Sequence, residues 1–218
     1  MGRSPAAAIA LRQGTLPPSG DHGAMGKRIL LVQGHPDGEP HFNHALADAY
    51  AGGAAAAGHV LERIEIASLD FPLLRSKADW DHGAVPPALV PAQQALQRAE
   101  HVVLFFPLWL GGMPALLKGF LEQVARPGFA LSLPDEHGRQ AKLLGGRSAR
   151  VVVTMGMPAL VYRWYFRAHS VKALERNILG FVGFAPVRET LIGSVESMDD
   201  VDRRKWLAKL AALGRGAS

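Results

Sequence analysis

Three short runs of uninterrupted apolar residues, separated by helical patterns, constrain this chain more than any other feature. Ile29-Leu30-Leu31-Val32, Val102-Val103-Leu104-Phe105-Phe106 and Val151-Val152-Val153 carry no polar residue. Strands of that content have both faces buried, as in the middle of a parallel sheet covered by helices on each side. Two further stretches alternate instead. Val60 to Ile66 sets Val60, Ile64 and Ile66 against Leu61, Arg63 and Glu65, and Val187 to Ile192 also alternates. That pattern suits strands at sheet edges. Helical spacing links the runs. It is carried by Phe42, Ala45, Leu46, Ala49, Tyr50 and Gly53, with Gly58 placed to stop the helix, and then by Leu89, Ala92, Leu96 and Ala99. Met113, Leu116, Leu117, Phe120, Leu121 and Val124 give a third helix, with Pro114 in its first turn. A helix over Val171 to Leu179 and one over Met198 to Leu213, with Trp206, Leu207 and Leu210 facing inward, complete the series. Strand and helix thus alternate throughout. The fold class predicted is α/β: a doubly wound five-stranded parallel sheet of order 2-1-3-4-5, with helices on both faces.

The 218 residues suit a single domain. Residues 1–26 are rich in Ala, Gly and Pro and hold no sustained period, and the apolar run from Ala6 to Leu11 is short for a secretory segment. We read 1–26 as a disordered N-terminal extension to a domain spanning 27–218, with Met25 as an alternative start. The chain has no Cys, which excludes a disulfide scaffold, a thiolate zinc or iron–sulfur centre and a Cys nucleophile, and fits a reducing, cytoplasmic setting. No apolar window is long enough to cross a membrane, so membrane insertion is not expected. The net charge is +5 with dispersed Lys and Arg, Arg203-Arg204-Lys205 being the longest run. This describes a solvated surface rather than a nucleic-acid patch, with a mild preference for anionic ligands.

In an open parallel sheet, ligands bind beyond the carboxyl ends of the strands where the winding reverses. For order 2-1-3-4-5 that point gathers the loops after the first, third and fourth strands. The first, Gln33 to Asn43, feeds a helix N-terminus, where free N–H groups favour phosphate and His41 and Asn43 can add donors. It reads equally as a Pro/Gly turn with an Asn cap. His35, His41 and His44 also invite a metal reading, but no spacing indicates three convergent ligands, and no metal is assigned. The second loop, Phe106 to Pro114, places Trp109 beside Gly111 and Gly112. That combination suits a planar ring held against an aromatic wall, or a Trp that covers the sheet end. The third, Thr154-Met155-Gly156-Met157-Pro158, offers a hydroxyl and an approachable backbone. The sequence lacks G-x-G-x-x-G, G-x-x-x-x-G-K-[ST] and G-x-S-x-G, which speaks against a dinucleotide Rossmann site, a P-loop and a hydrolase nucleophile elbow.

The segments ILLVQGHP…HFNHALADAY, FFPLWLGGMPALLKGFLEQVARPGFAL and VVVTMGMP resemble the flavodoxin-like NAD(P)H:quinone oxidoreductases over about residues 28–195. That family includes mammalian quinone reductase, bacterial modulator-of-drug-activity proteins and ancillary subunits of glutathione-gated potassium efflux systems. The resemblance implies a flavodoxin-like domain that binds FMN, or alternatively FAD, and takes a hydride from NAD(P)H. By it, His35, Phe42 and Asn43 match the loop at the phosphate and ribityl chain, in which His41 also lies as a candidate cofactor contact. Pro107, Leu108, Trp109 and Leu110 match the loop at the isoalloxazine ring. Thr154, Met155, Gly156 and Met157 match the pyrimidine edge. Tyr162 falls at the offset of the family's substrate-side Tyr, and His169 one residue beyond that of its His, as catalytic candidates. The family usually has Ser or Thr where this chain has His41.

The reaction so implied is ping-pong: NAD(P)H reduces the flavin, leaves, and a quinone-like acceptor receives two electrons in the same place, in a slot walled by Trp109, Met157 and Phe166. Tyr162 and His169 could donate to the developing quinol, although Tyr162-Arg163-Trp164-Tyr165-Phe166 also reads as a packing or dimer surface. The resemblance further implies a homodimer, with 162–166 and the loop Leu69 to Leu74 as contacts. The alternatives are an azo- or nitro-reductase on the same site, an ancillary subunit with a transporter partner, and a flavodoxin-type electron carrier. The basic balance of charge disfavours the last.

Overall fold

A computed structural model describes residues 26–218. The extension expected over 1–26 therefore lies outside the described residues except for Gly26. Five strands, β1 (Arg28–Gln33), β2 (Val60–Glu65), β3 (His101–Pro107), β4 (Ser148–Thr154) and β5 (Val187–Ile192), form one parallel sheet in the order β2-β1-β3-β4-β5. Alternation along the three central strands divides the core. Ile29, Leu31, Val103, Phe105 and Val152 point to one face, where α1 (Phe42–Ala56) and α8 (Asp200–Arg215) cover them with Leu46, Tyr50 and Leu210. Leu30, Val32, Leu104, Phe106, Val151 and Val153 point to the other. There α3 (Val90–Arg98), α4 (Ala115–Val124) and the helical stretch from α6 (His169–Ala173) to α7 (Gly180–Val182) pack on them. The edge strands β2 and β5 carry the half-exposed, alternating sequences, as their patterns require. No helix among the described residues is long and apolar enough to cross a membrane.

Several boundaries differ from the sequence reading. β2 stops at Glu65, because Ile66 opens a short 3-10 turn (Ile66–Ser68) that buries its side chain. Pro114 sits at the N-cap of α4 rather than inside its first turn, which suits a residue with no N–H to give the helix. A six-residue helix α2 (Lys77–His82) was not legible, since it buries no side chain and so has no apolar period. Its start is fixed by Ser76, whose Oγ accepts the Asp79 N–H at 3.0 Å. α5 (Ala159–Trp164) follows the β4 loop, and α6 runs through a π-helical stretch, Leu174–Leu179, into α7. At the end of α1, the N–H groups of Gly58 and His59 return to Ala55 and Ala54, with Gly58 at φ +77°. This is the stop that Gly58 predicts.

α1 and α8 approach closely because glycines face each other across the contact. A Cβ on Gly53 would lie 1.9 Å from the Ala211 carbonyl oxygen, and one on Gly214 2.0 Å from that of Tyr50. Gly53→Ala is therefore expected to cost about 1–3 kcal/mol as the helices are forced apart, measured as a lower chemical-denaturation midpoint. At the opposite end of the sheet from the loops, His101 is 1% exposed and its Nδ1 is 2.8 Å from Ser148 Oγ. Its Nε2 has no partner in the protein. Burial, reinforced by the positive charge of Lys27, Arg150 and Arg188, holds its pKa down at about 4. The unfolded chain binds this proton near pH 6.5 and the folded chain does not. Stability contributed here is complete above about pH 6.5 and is lost as pH falls toward about 4, by on the order of 3 kcal/mol. Denaturation series at several pH values should show this slope in the native protein and a shallower one in His101→Gln.

Candidate functional site

The first loop is shaped by the one polar residue at the end of β1. Gln33 is fully buried, and its Oε1 accepts the His35 N–H at 3.1 Å. The Gly34 N–H donates to Phe105 O at 2.6 Å, which ties the loop to β3. The Asp37 and Glu39 N–H groups are turned inward, onto His35 Nδ1 at 3.1 Å and Asp37 Oδ1 at 3.0 Å. His41 takes the N-cap position of α1, and the N–H groups of Phe42 and Asn43 have no partner among the described residues. These two amides and the positive end of the α1 dipole point at one place beyond the sheet. Phe42 is half-buried beneath Arg203 of α8, whose guanidinium carbon lies 4.8 Å from the ring centroid.

Asn43 also makes a contact that the sequence does not show. It is buried, and its Nδ2 donates to Thr154 Oγ1 at 3.1 Å, joining the β1 loop to the end of β4. Its Oδ1 is buried with no partner among the described residues. Thr154 is also bound from the other side, its carbonyl accepting the Leu108 N–H at 2.7 Å. All three loops are thereby locked to a single residue. The Asn43 side chain is thereby committed to joining two loops, while its backbone N–H stays free at the helix start.

The loop after β3 closes as a tight hairpin in which Trp109 and Gly112 exchange both backbone hydrogen bonds at 2.9 Å. Pro107 is buried in the sheet and Leu108 packs against the core. Trp109 stands half exposed with its ring edge toward His35, centroids 5.9 Å apart. Leu110 is at the tip with φ +46° and its side chain wholly in solvent, so within this chain it walls nothing. In the third loop Met155 is buried and its N–H is taken by Ile192 O at 2.9 Å. That assigns Met155 to the core rather than to ligand contact. Met157 is half-buried on the same core. The N–H groups of Gly156 and Met157 have no partner among the described residues.

The three histidines of the first loop gather as a stack. The rings of His35 and His41 are 4.1 Å apart, and His44 is 5.2 Å from His35. They face one another rather than a common centre, and among the described residues no three His, Cys, Asp or Glu side chains are placed to hold a metal ion. Burial holds the pKa of His35 and of His44 below the usual imidazole range, helped by the neighbouring rings. Asp37, whose Oδ2 lies 2.8 Å from His41 Nε2, is held below the usual carboxylate range by the Glu39 N–H first and by His41 second.

Tyr162 and His169 lie in different surroundings, one buried and the other exposed. Tyr162 is buried on α5 with its hydroxyl 2.6 Å from Ser170 Oγ. His169 is exposed at the start of α6, after the left-handed residues Arg167 (φ +54°) and Ala168 (φ +49°). Ser170 borders the Trp109 hairpin, since a Cβ on Gly112 would lie 4.0 Å from its own. No sequence pattern marks Ser170. Nor does any mark Glu196, whose carboxylate would be 3.2 Å from a Cβ on Gly156. Gln33 was signalled only by being polar at the end of an apolar strand. Of the expected contact loop, Leu69 and Phe71 pack on the chain's own core, Phe71 edge-on to Phe120 at 6.3 Å, which leaves Leu73 exposed. Two hollows lie away from this rim. One is an apolar cavity of about 40 Å³ under α3 and α4, the other an open groove of about 380 Å³ between α5, β5 and α8.

Known proteins share this architecture. An uncharacterized NAD(P)H oxidoreductase of Haemophilus influenzae is 26% identical, over 84% of this chain and 91% of its own length. An FMN-dependent NADH:quinone oxidoreductase of Nitratidesulfovibrio vulgaris is 28% identical, over 75% of this chain and 85% of its own. A crystal structure of a Streptococcus mutans protein superimposes with a TM-score of 0.74 at 27% identity, covering 87% of this chain and 99% of that one. The family model for the flavodoxin-like fold (Flavodoxin_2) matches residues 27–213. With the strand order β2-β1-β3-β4-β5 and three loops tied together at Thr154, this chain belongs to the flavodoxin-like fold family.

Proposed function

We propose that this protein is a flavin-dependent oxidoreductase that takes a hydride from NAD(P)H and delivers two electrons to a quinone-like acceptor, with FMN as its flavin. The carrying observation is the joint at Thr154. It fixes three loops around one place, while the buried Asn43 Oδ1 and the amides of Phe42, Asn43, Gly156 and Met157 are left without partners among the described residues. That donor and acceptor set fits a flavin. The Phe42 and Asn43 amides suit its phosphate, Asn43 Oδ1 suits a ribityl hydroxyl, and the half-exposed Trp109 suits the flat ring. The names of the relatives from Haemophilus influenzae and Nitratidesulfovibrio vulgaris support the donor, the acceptor and FMN.

A bound flavin supplies the redox chemistry, accepting a hydride from one partner and passing it to the other. The rest falls to the chain. The Gly156 and Met157 amides at the pyrimidine edge stabilise negative charge as it accumulates. The hairpin carrying Trp109 holds donor and acceptor in turn at one apolar surface, as ping-pong exchange requires. Tyr162, with its hydroxyl on Ser170, orients the hairpin from behind, and His169 is left to solvent. The exposed side chains of Leu160, Val161, Trp164, Tyr165 and Phe166 form an apolar patch on and after α5. We assign this patch to a homodimer contact bordering the site, since a monomer would present it to water.

Purification without added cofactor should yield a yellow protein whose released chromophore has the mass of FMN. Trp109→Ala should raise the flavin dissociation constant by about tenfold or more, the loss of one ring contact, with an unchanged denaturation midpoint. A colourless chain that cannot be reconstituted would exclude the assignment. Trp164→Glu, at a side chain 75% exposed in the single chain, should leave the fold intact and shift the sedimenting species from dimer to monomer.

A further inference from the structure

The first loop holds more than a flavin site requires. His35 and His41 lie face to face, with ring planes 22° apart, and His44 flanks both at 5.2 and 5.7 Å. Rings this close repel when both are charged, so the stack accepts one positive charge far more readily than two. Hydrogen bonds distinguish the three. His44 Nδ1 accepts the His41 N–H at 3.3 Å, which leaves the proton of a neutral His44 on Nε2. His35 Nδ1 faces the N–H and the C=O of Asp37, each at 3.1 Å, so its Nε2 is the nitrogen left for a ligand. His41 is tied through Nε2 to Asp37 Oδ2 at 2.8 Å. A second proton on that ring, at Nδ1, keeps the Asp37 bond and places a full positive charge one residue before the free amides of α1.

We propose that a phosphate monoester bound at the α1 N-terminus draws one proton onto this stack, at His41, so that phosphate recognition by this chain is coupled to proton uptake. The inference rests on the flavin reading and takes the terminal phosphate of FMN as the ligand group. His35 and His44 have their Nδ1 atoms engaged by backbone groups and burial lowers the pKa of both, whereas His41 is the more exposed ring and is held by a carboxylate, so the added proton goes there. The other charges facing the stack are fixed. Asp37 and Glu39 belong to its own loop. Arg63 of β2, beside His44, is neutralised by Asp48 and Glu65. Arg203 of α8 lies across the Phe42 ring, bonded to the carbonyls of Val195 and Met198. The β3 and β4 loops present uncharged Trp109 and Thr154, with Glu196 at the far end beside Gly156.

A phosphate monoester is mostly a dianion above about pH 6, and an imidazole is mostly neutral above about pH 6.5. Above that range, pairing them takes a proton from solvent. Affinity for the phosphate-bearing flavin then falls as pH rises, by up to about tenfold per pH unit for one proton. Riboflavin, which lacks the phosphate, feels no such dependence.

The test is calorimetric titration of the full chain, stripped of flavin, with FMN and with riboflavin at pH 7.5 in two buffers of different ionisation enthalpy. FMN binding should take up about half to one proton and riboflavin none, and the FMN Kd should rise about fivefold to tenfold between pH 7 and 8. His41→Gln, which retains an amide near Asp37, should bind FMN without proton uptake, and its ratio of FMN to riboflavin affinity should no longer change with pH. Absence of uptake with wild-type protein overturns the inference without any variant and leaves the flavin reading intact, as does full uptake in His41→Gln. Failure of both flavins to bind overturns the flavin reading and this inference together.

Discussion

The side chains of β1, β3 and β4 are withdrawn from water on both faces of the sheet, Leu31, Val103 and Val152 beneath α1 and α8, Val32, Leu104 and Val153 beneath the other helices. That double burial leaves no exposed surface on the middle strands at which chemistry could occur. Only their ends reach solvent. With all strands parallel, every carboxyl end lies at one rim, and the reversal of winding between β1 and β3 keeps their following loops apart. The site is therefore a consequence of core packing. A residue such as Thr154 can tie three loops together because β4 places it at the rim with the sheet rigid behind it.

The electrostatics of the rim follow from what the loops do with their amides. In the first loop the Asp37 carboxylate faces its own backbone and the His41 ring, accepting the Glu39 N–H and lying 2.8 Å from His41 Nε2. Its charge is thus spent locally. The amides of Phe42 and Asn43, together with the dipole of α1, set the sign of the potential beyond the loop.

Much of this was legible in the residues. The apolar runs placed the three central strands, and the alternating runs placed both edges, because burial on one face or two is written directly into the pattern. Val187 to Ile192 was read to the residue. Gly58 marked a helix stop because only its freedom at positive φ permits one there. What was not legible depends on atoms rather than on patterns. Asn43 reads as a phosphate donor from its place at a helix start, and only coordinates reveal that Thr154 lies within reach of its amide. Tyr162 and His169 are seven positions apart, which on a continuous helix would leave them on one face. The left-handed turn at Arg167 and Ala168 breaks that helix and brings Ser170 to the Tyr162 hydroxyl. α2 left no trace, since a helix that buries nothing has no period to read.

The Asn43 amide also links the site to the fold's stability. Its nitrogen end is satisfied by Thr154, while its buried oxygen end has no partner among the described residues. An unmet acceptor of this kind costs about 1–3 kcal/mol, and the buried sheet behind it absorbs that cost. A ligand hydroxyl meeting Asn43 Oδ1 recovers it. The interaction then does more than add a contact, because it tightens the joint through which the β1 loop is held to β4. In the proposed flavin complex, binding and the ordering of the three loops are in this way one process, and the flavin completes the rigidity that aiming a hydride needs.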